Sequence, residues 1–253
     1  MDFDAEVNGW HKSLTRLQFA KIPTPARKAL ADLRELFPER ALLLVQSLHA
    51  SNQKEKKFPE WREDQIGRFG SLVSDTAADL VRAYLDQRIM PLAWATRNLL
   101  ELSIWIVYCN LSDVHAKGFW DVAVRDVYGL SDAVRRSVEL ESREAGDLVK
   151  TALGELSTFA QTVGIKSLRD DFKRVSDAAD ELGEREEFLS TNKMLSKWAH
   201  PTAWVARASK PAADEGCMTM VLQDGVELAM NSIITIRQVI REHYPDIAKA
   251  KGD

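Results

Sequence analysis

Two stretches of the 253-residue chain set ionisable side chains into otherwise apolar patterns. The first runs from Pro91 to Leu111. Wound as a helix at about 100° per residue, it brings Trp94, Arg97, Glu101, Ile104, Trp105 and Tyr108 to one face and Leu92, Leu99, Leu102 and Ile106 to another. Arg97 and Glu101 are four residues apart and can pair along the helix. A charged pair between tryptophan and tyrosine is either buried, which is costly unless both groups are well satisfied, or it lines a pocket. Structural ion pairs occupy such positions as readily as catalytic ones. A buried pair that fixes how neighbouring helices dock is the preferred reading, and a chemical site on Arg97 and Glu101 is the alternative.

The second stretch is Thr191 to Thr202. Phe188, Leu195, Trp198 and Ala199 form its apolar side, while Asn192, Ser196 and His200 rise along one line at spacings of four, with Lys193 and Lys197 beside them. Pro201 disfavours helical geometry at the residue before it. His200 is therefore expected at a helix C-terminus, where the dipole favours the protonated imidazole. Such a histidine can pair with Glu101 or serve as a general acid. A capping histidine followed by a stop proline is the plainer reading and is preferred. If the two stretches meet, Arg97, Glu101 and His200 are the catalytic candidates, with Tyr108, Asn192, Ser196 and Lys197 as binding residues.

Other chemistries find little support. His11, His49, His115 and His243 fit no His-x-x-x-His or Glu-x-x-His spacing, so no metal is expected. Phosphate-cradling glycine loops, dinucleotide fingerprints and Gly-x-Ser-x-Gly elbows are missing from the sequence, and no cofactor is implied. The 34 Lys and Arg against 38 Asp and Glu leave a net charge of −4, without the basic excess of a phosphate-neutralising nucleic-acid binder. A local basic patch is still compatible with that total. Cys109 and Cys217 sit in apolar surroundings with no Cys-x-x-Cys, as reduced core residues of a cytoplasmic protein do. Met1-Asp2-Phe3-Asp4 opens acidic with no apolar run behind it, so no signal peptide is expected. The most apolar stretch, Leu99 to Leu111, is broken by Glu101, Ser103 and Asn110, so no membrane span is expected either.

The elements that must position these residues are helices. Twelve glycines and eight prolines are few for 253 residues, and long elements follow. Helical spacing predicts helices over Phe3–Ala20, from Thr24 with Pro25 at its first position, over Ala41–Leu48, Trp61–Arg88, Pro91–Leu111 and about Phe119–Val127. Further helices are predicted over Ser131–Val163 with Ser131 as cap, Ser167–Leu182 between Gly164 and Gly183, Phe188–Ala199, and Val221–Glu242. Only Cys217–Leu222 reads as a possible strand. The expected fold is a single all-α domain spanning residues 1–253, a multi-helix bundle of roughly eight to ten helices with little or no β structure. Residues 1–57 are expected as a semi-detached N-terminal helical segment that ends in the charged run Gln53 to Lys57.

With Arg97-x-x-x-Glu101 on a central helix and Ser196-x-x-x-His200-Pro201-Thr202 later, the sequence resembles a group of mostly helical bacterial proteins known as a domain of unknown function. More distantly, its layout is similar to the HEPN superfamily, which includes metal-independent ribonucleases of toxin and phage-defence systems. Their hallmark is an Arg, commonly followed by a polar residue such as Asn, and then, after four to six intervening residues, a His on the same helix. This chain begins that motif at Arg97-Asn98 and places Leu102, Ser103 and Ile104 where the His belongs. The resemblance implies a non-catalytic or degenerate HEPN-like protein that binds a protein partner or RNA in a bacterial defence or toxin–antitoxin setting. Its alternative is a metal-independent ribonuclease, or a small-molecule enzyme, in which His200 replaces the missing His. A homo-oligomer is compatible with the sequence: the apolar last helix could pair two copies, and its stripe is equally what an intramolecular core needs.

Overall fold

A computed structural model describes residues 24–36, 60–140, 142–168, 173–200, 215–243 and 245. Eight helices make up almost all of them: α1 (Thr24–Leu36), α2 (Glu60–Leu85), α3 (Ile89–Asn110), α4 (Asp113–Glu139), α5 (Arg143–Thr162), α6 (Val175–Glu181), α7 (Arg185–Ala199) and α8 (Glu215–His243). The fold is all-α, with no strand among the described residues. None of their helices is long and apolar enough to cross a membrane.

Helix α3 is the axis of the molecule. Its sequence is apolar around most of its circumference, and Leu92, Ala93, Ala95 and Leu99 are fully buried. Such a helix is stable only when covered on several sides, and α2, α4, α6, α7 and α8 all pack on it. Helix α8 makes the most extensive contact, contributing Val221, Leu222, Val226, Ala229, Ile233 and Ile240 to the shared core. Helix α1 packs on α8 through Ala26, Ala29 and Leu30, which belong to the same core. Helix α5 packs chiefly on α4, so these two form a hairpin at one side, with a small cluster of Val124, Ala160 and Ile165.

Local chemistry explains the helix ends. Ser112 caps α4 by accepting the backbone N–H of His115, and Ser142 caps α5 by accepting that of Ala145. Gly164 and Gly183, at φ of 83° and 76°, close α5 and α6 in the left-handed conformation that glycine adopts without strain. The same turn between α2 and α3 is made by Gln87 at φ 55°, whose side-chain amide donates to the Tyr84 carbonyl at 2.9 Å.

Several boundaries differ from the sequence expectation. Ser131 lies in the middle of α4, which runs through it to Glu139, and the long helix expected over Ser131–Val163 is divided at residues 140–142, where Ser142 supplies the cap. The helix expected over Ser167–Leu182 is confined to Val175–Glu181. The stretch Cys217–Leu222 is the first part of α8 and not a strand, with Met218, Val221 and Leu222 facing the core. The helices expected over Phe3–Ala20 and Ala41–Leu48, the charged run Gln53 to Lys57 and most of the 1–57 segment lie outside the described residues.

Helix α8 meets its neighbours closely at Gly225. A Cβ there would come within 2.6 Å of Leu80 Cδ1 and 2.8 Å of Thr96 Oγ1, so α8 touches both α2 and α3 with nothing between. Thr96 secures the contact by directing its hydroxyl at the Leu92 carbonyl of its own helix and at the Val221 carbonyl of α8, 3.0 and 3.1 Å away. Gly225→Val therefore overpacks this junction, and equilibrium urea unfolding is expected to show a loss of about 1–3 kcal/mol, whereas Gly154→Val on open helix surface should cost less than Gly225→Val.

Candidate functional site

Helix α3 presents Arg97 toward α7, and the guanidinium is held from three directions. Its Nε donates to Asn192 Oδ1 at 2.8 Å, its Nη1 lies 3.2 Å from His200 Nε2, and its Nη2 pairs with Glu101 Oε1 at 3.3 Å. Arg97 and Glu101 retain 28% and 34% of their side-chain exposure, so the pair sits at the wall of the bundle and not in its core. Guanidinium groups only donate hydrogen bonds. The contact with His200 is therefore a hydrogen bond only when Nε2 is unprotonated, leaving any ring proton on Nδ1.

The position of His200 follows from the chain around it. Its backbone is extended, at φ −115° and ψ 150°, and it caps the C-terminus of α7, as a residue before proline is expected to do. The dipole at that end favours a cation, but Arg97 already supplies one. The ring accordingly meets Arg97, and the pairing with Glu101 raised by the sequence is replaced by an Arg97-centred fork.

Of the other candidates, Asn192 is a direct partner. Ser196 lies one turn further, but its hydroxyl is turned back to donate to the Asn192 carbonyl at 2.6 Å. Lys197 is exposed on the neighbouring line of α7. Tyr108 belongs elsewhere: eleven residues beyond Arg97 at 1.5 Å per residue is about 16 Å along the axis. Its ring is 5% exposed and packs edge-on against Trp105 and His115.

Tyr108 lies in a second polar group that the sequence did not mark. Lys173 stands over its ring at 4.8 Å and pairs with Glu181, which faces His115 Nε2 at 3.6 Å. His115 Nδ1 is 2.7 Å from Ser112 Oγ. Burial pulls the Lys173 ammonium toward its neutral form, but Glu181 and Tyr108 outweigh it and hold the pKa above the ordinary lysine value. These residues come from three separate segments, so no spacing rule could have grouped them. They join the start of α4 to α6. Among the described residues no three histidine, cysteine or acidic side chains are grouped to hold a metal ion, and neither Cys109 nor Cys217 is in a disulfide.

Beside the Arg97 fork lies an open cleft of about 600 Å³ whose walls include Gln87, Arg88, Met90, Trp94 and Ala199. Trp94 is one turn before Arg97 on α3, and Ala199 immediately precedes His200, so the cleft neighbours the fork along both helices, with Arg97 and His200 outside its lining. The indole of Trp94 is half-exposed there, an unusual placement for so large an apolar ring. A separate groove of about 430 Å³ is lined by Phe188, Glu184, Glu187, Asp224 and Glu227, among others. Burial, and secondarily the charge of Glu227, raises the Asp224 pKa above the usual carboxylate value.

Comparison with protein-family models, with curated proteins and with solved structures returns no match to this chain. Functional argument therefore rests on the chemistry of these residues.

Two outcomes test the geometry. Arg97→Ala removes the group that ties α3 to α7 and is expected to cost about 1–3 kcal/mol in urea unfolding, with faster amide exchange at the end of α7. Arg97→Lys should not recover this, because an ammonium cannot span three partners in a planar fork. Asp224 carries a raised pKa, so the folded state holds its proton more readily than the unfolded chain does. Its contribution is full at pH below the unfolded carboxylate pKa and is lost as pH rises through the raised value. Asp224→Asn should raise the melting temperature at neutral pH, with the gain disappearing on acidification.

Proposed function

We propose that this chain is a helical RNA-binding protein of degenerate HEPN-like type, which holds a phosphodiester on Arg97 and His200 without cutting it. The observation that carries the reading is the junction of the Arg97 fork with the Trp94 cleft. A guanidinium braced by Asn192 and Glu101 has its remaining N–H groups free of conformational search, and such pre-organisation favours a planar oxyanion. An exposed indole one helical turn away offers the flat surface on which an unpaired base stacks. Arg88, on the rim of the same cleft, supplies a second cation.

Binding without cleavage follows from the proton inventory. Transphosphorylation by an RNA 2′-hydroxyl needs a base for that hydroxyl and an acid for the leaving oxygen. Among the described residues His200 is the only imidazole at the fork, and Leu102, Ser103 and Ile104 fill the positions where HEPN ribonucleases carry theirs. The ribonuclease reading has one observation in its favour, that His200 Nε2 lies within 3.2 Å of Arg97 and so beside any phosphate held there.

Fluorescence-anisotropy titration of the full chain with single-stranded RNA in excess chelator tests both readings. Arg97→Ala should weaken binding about tenfold or more, the equivalent of one lost charge-assisted hydrogen bond. Trp94→Ala should weaken it by a similar factor. With one or two phosphates neutralised, log K should fall against log salt with a slope of only about −0.7 to −1.4. Lack of RNA binding by the wild-type chain would sink the proposal. Cleavage abolished by His200→Ala, a substitution at an exposed position, would replace it with the ribonuclease reading.

A further inference from the structure

Helices α7 and α8 both pack on α3 and leave between them the open groove of about 430 Å³. Its base is apolar. Leu100, Ile104 and Val107 stand on one face of α3, with Phe188 of α7 and Leu228 of α8 at the sides. Leu100, Ile104 and Phe188 are buried, whereas Val107 is 40% exposed. The apolar strip also continues out of the groove: Leu111 is one turn beyond Val107 on α3, Ile234 is one turn beyond Asn231 on α8, and both are about half-exposed. The two helices run in the same direction, since Thr96 meets the Val221 carbonyl early in each, and Ile106 and Cys109 share a small cavity with Ile236 and Val239 further on. Leu111 and Ile234 therefore extend the strip at the same end. From Leu100 to Leu111 it is about 16 Å long, three turns of helix.

The walls of this groove carry charge of one sign. Asp224 and Glu227 stand on α8 and Glu184 and Glu187 on α7, and no lysine or arginine lines the groove. Among the described residues no ion pair engages any of the four. Arg185, next to Glu184 in sequence, pairs instead with Asp180 at 3.5 Å. Burial first and the charge of Glu227 second raise the Asp224 pKa, with no cation to lower it.

We propose that the groove binds a basic amphipathic helix of a partner protein, whose apolar side chains insert over α3 while its lysines or arginines meet the two acidic walls. The volume accepts side chains and not a whole helix, so the partner helix lies along the opening and directs anchors at i, i+3, i+4 and i+7 inward. Charge selects this occupant. Four carboxylates without counter-ions repel an acidic helix and a phosphodiester alike, and a cationic helix supplies the missing charge while it covers Val107, Leu111 and Ile234. A second copy of this chain presenting the same groove would bring four more carboxylates to the contact and is rejected by the same sign. The groove includes neither Arg97 nor His200, so the inference stands apart from the RNA-binding reading.

Isothermal titration of the full chain with two synthetic amphipathic peptides tests it. Both peptides carry leucine at the anchor spacing; one has lysine and the other glutamate at the flanking positions. The lysine peptide should bind at micromolar concentration and more weakly as salt rises, and the glutamate peptide about tenfold more weakly or worse. Glu184→Gln combined with Glu187→Gln should weaken the lysine peptide roughly tenfold, with unchanged helical circular dichroism because both side chains are exposed. Leu111→Ser combined with Ile234→Ser should weaken it by a similar factor, roughly tenfold. Asp224→Asn should weaken it while raising the melting temperature at neutral pH, two effects that loss of structure cannot produce together. The control pair Glu144→Gln with Asp147→Asn, on α5, should leave binding unchanged. A lysine peptide that fails to bind at high micromolar concentration overturns the proposal. Equal weakening by the α5 control pair also overturns it, because attraction to the acidic chain as a whole then suffices. Displacement of the peptide by spermine, with spermine binding indifferent to the Leu111 and Ile234 changes, replaces the helix with a small polycation as the occupant.

Discussion

Burying α3 is the constraint to which the other helices answer. A helix with Leu92, Leu100, Ile104, Ile106 and Cys109 buried over most of its circumference cannot lie on the surface of anything. Removing so many apolar side chains from water supplies the main driving force, and it sets the topology. Helices α2 and α8 must approach closely enough to exclude water, which is why α8 carries glycine at position 225 and why Thr96 directs its hydroxyl at the α8 backbone. The cost of putting a hydroxyl in that interior is offset by the carbonyls it meets, since a buried polar group is tolerated when its hydrogen bonds are made.

The polar fork is the point at which this covering ends. Helix α7 lies over α3 through Phe188 and Leu195, both in the common core, and Arg97 reaches it near its C-terminus. The two roles considered for Arg97 at the level of sequence, helix docking and ligand recognition, are therefore not exclusive. The hydrogen bonds to Asn192 and His200 dock α7, and with the ion pair to Glu101 on α3 itself they fix the guanidinium. A rigid cation at a cleft wall loses less entropy on binding an anion than a mobile one. Asn192 and Glu101 act on any ligand through Arg97 and need not touch it.

Much of this was legible where backbone chemistry leaves a mark. Pro91 announces the start of α3, Pro201 the extended backbone of His200, and Gly164 and Gly183 the left-handed closures of two helices, because each of these residue types restricts or frees φ in a known way. The break between α4 and α5 carried no such mark: neither glycine nor proline stands at residues 140–142, and Ser142, not Ser131, supplies the cap. Residues 217–222 look strand-like through their sulfur-containing and branched side chains, yet a core position on α8 accepts the same residues. The Arg97 to His200 contact spans 103 positions; spacing placed each residue on its own helix, but only the packing of α7 on α3 could bring them together. Tyr108 shared a helix face with Arg97, and the length of that helix separated them.

An apolar stripe on a helix states that something must cover it and does not state what. Helix α8 and helix α4 both carry such stripes, and from sequence the former was the more conspicuous. The difference lies in how much of each stripe the neighbours reach. Helix α8 is met by α1, α2 and α3, which bury most of its apolar residues, whereas α4, met by α2, α3 and α5, leaves Val114, Val127, Leu130 and Val134 exposed. A helix in the middle of a bundle exhausts its stripes internally, and a hairpin at its margin cannot.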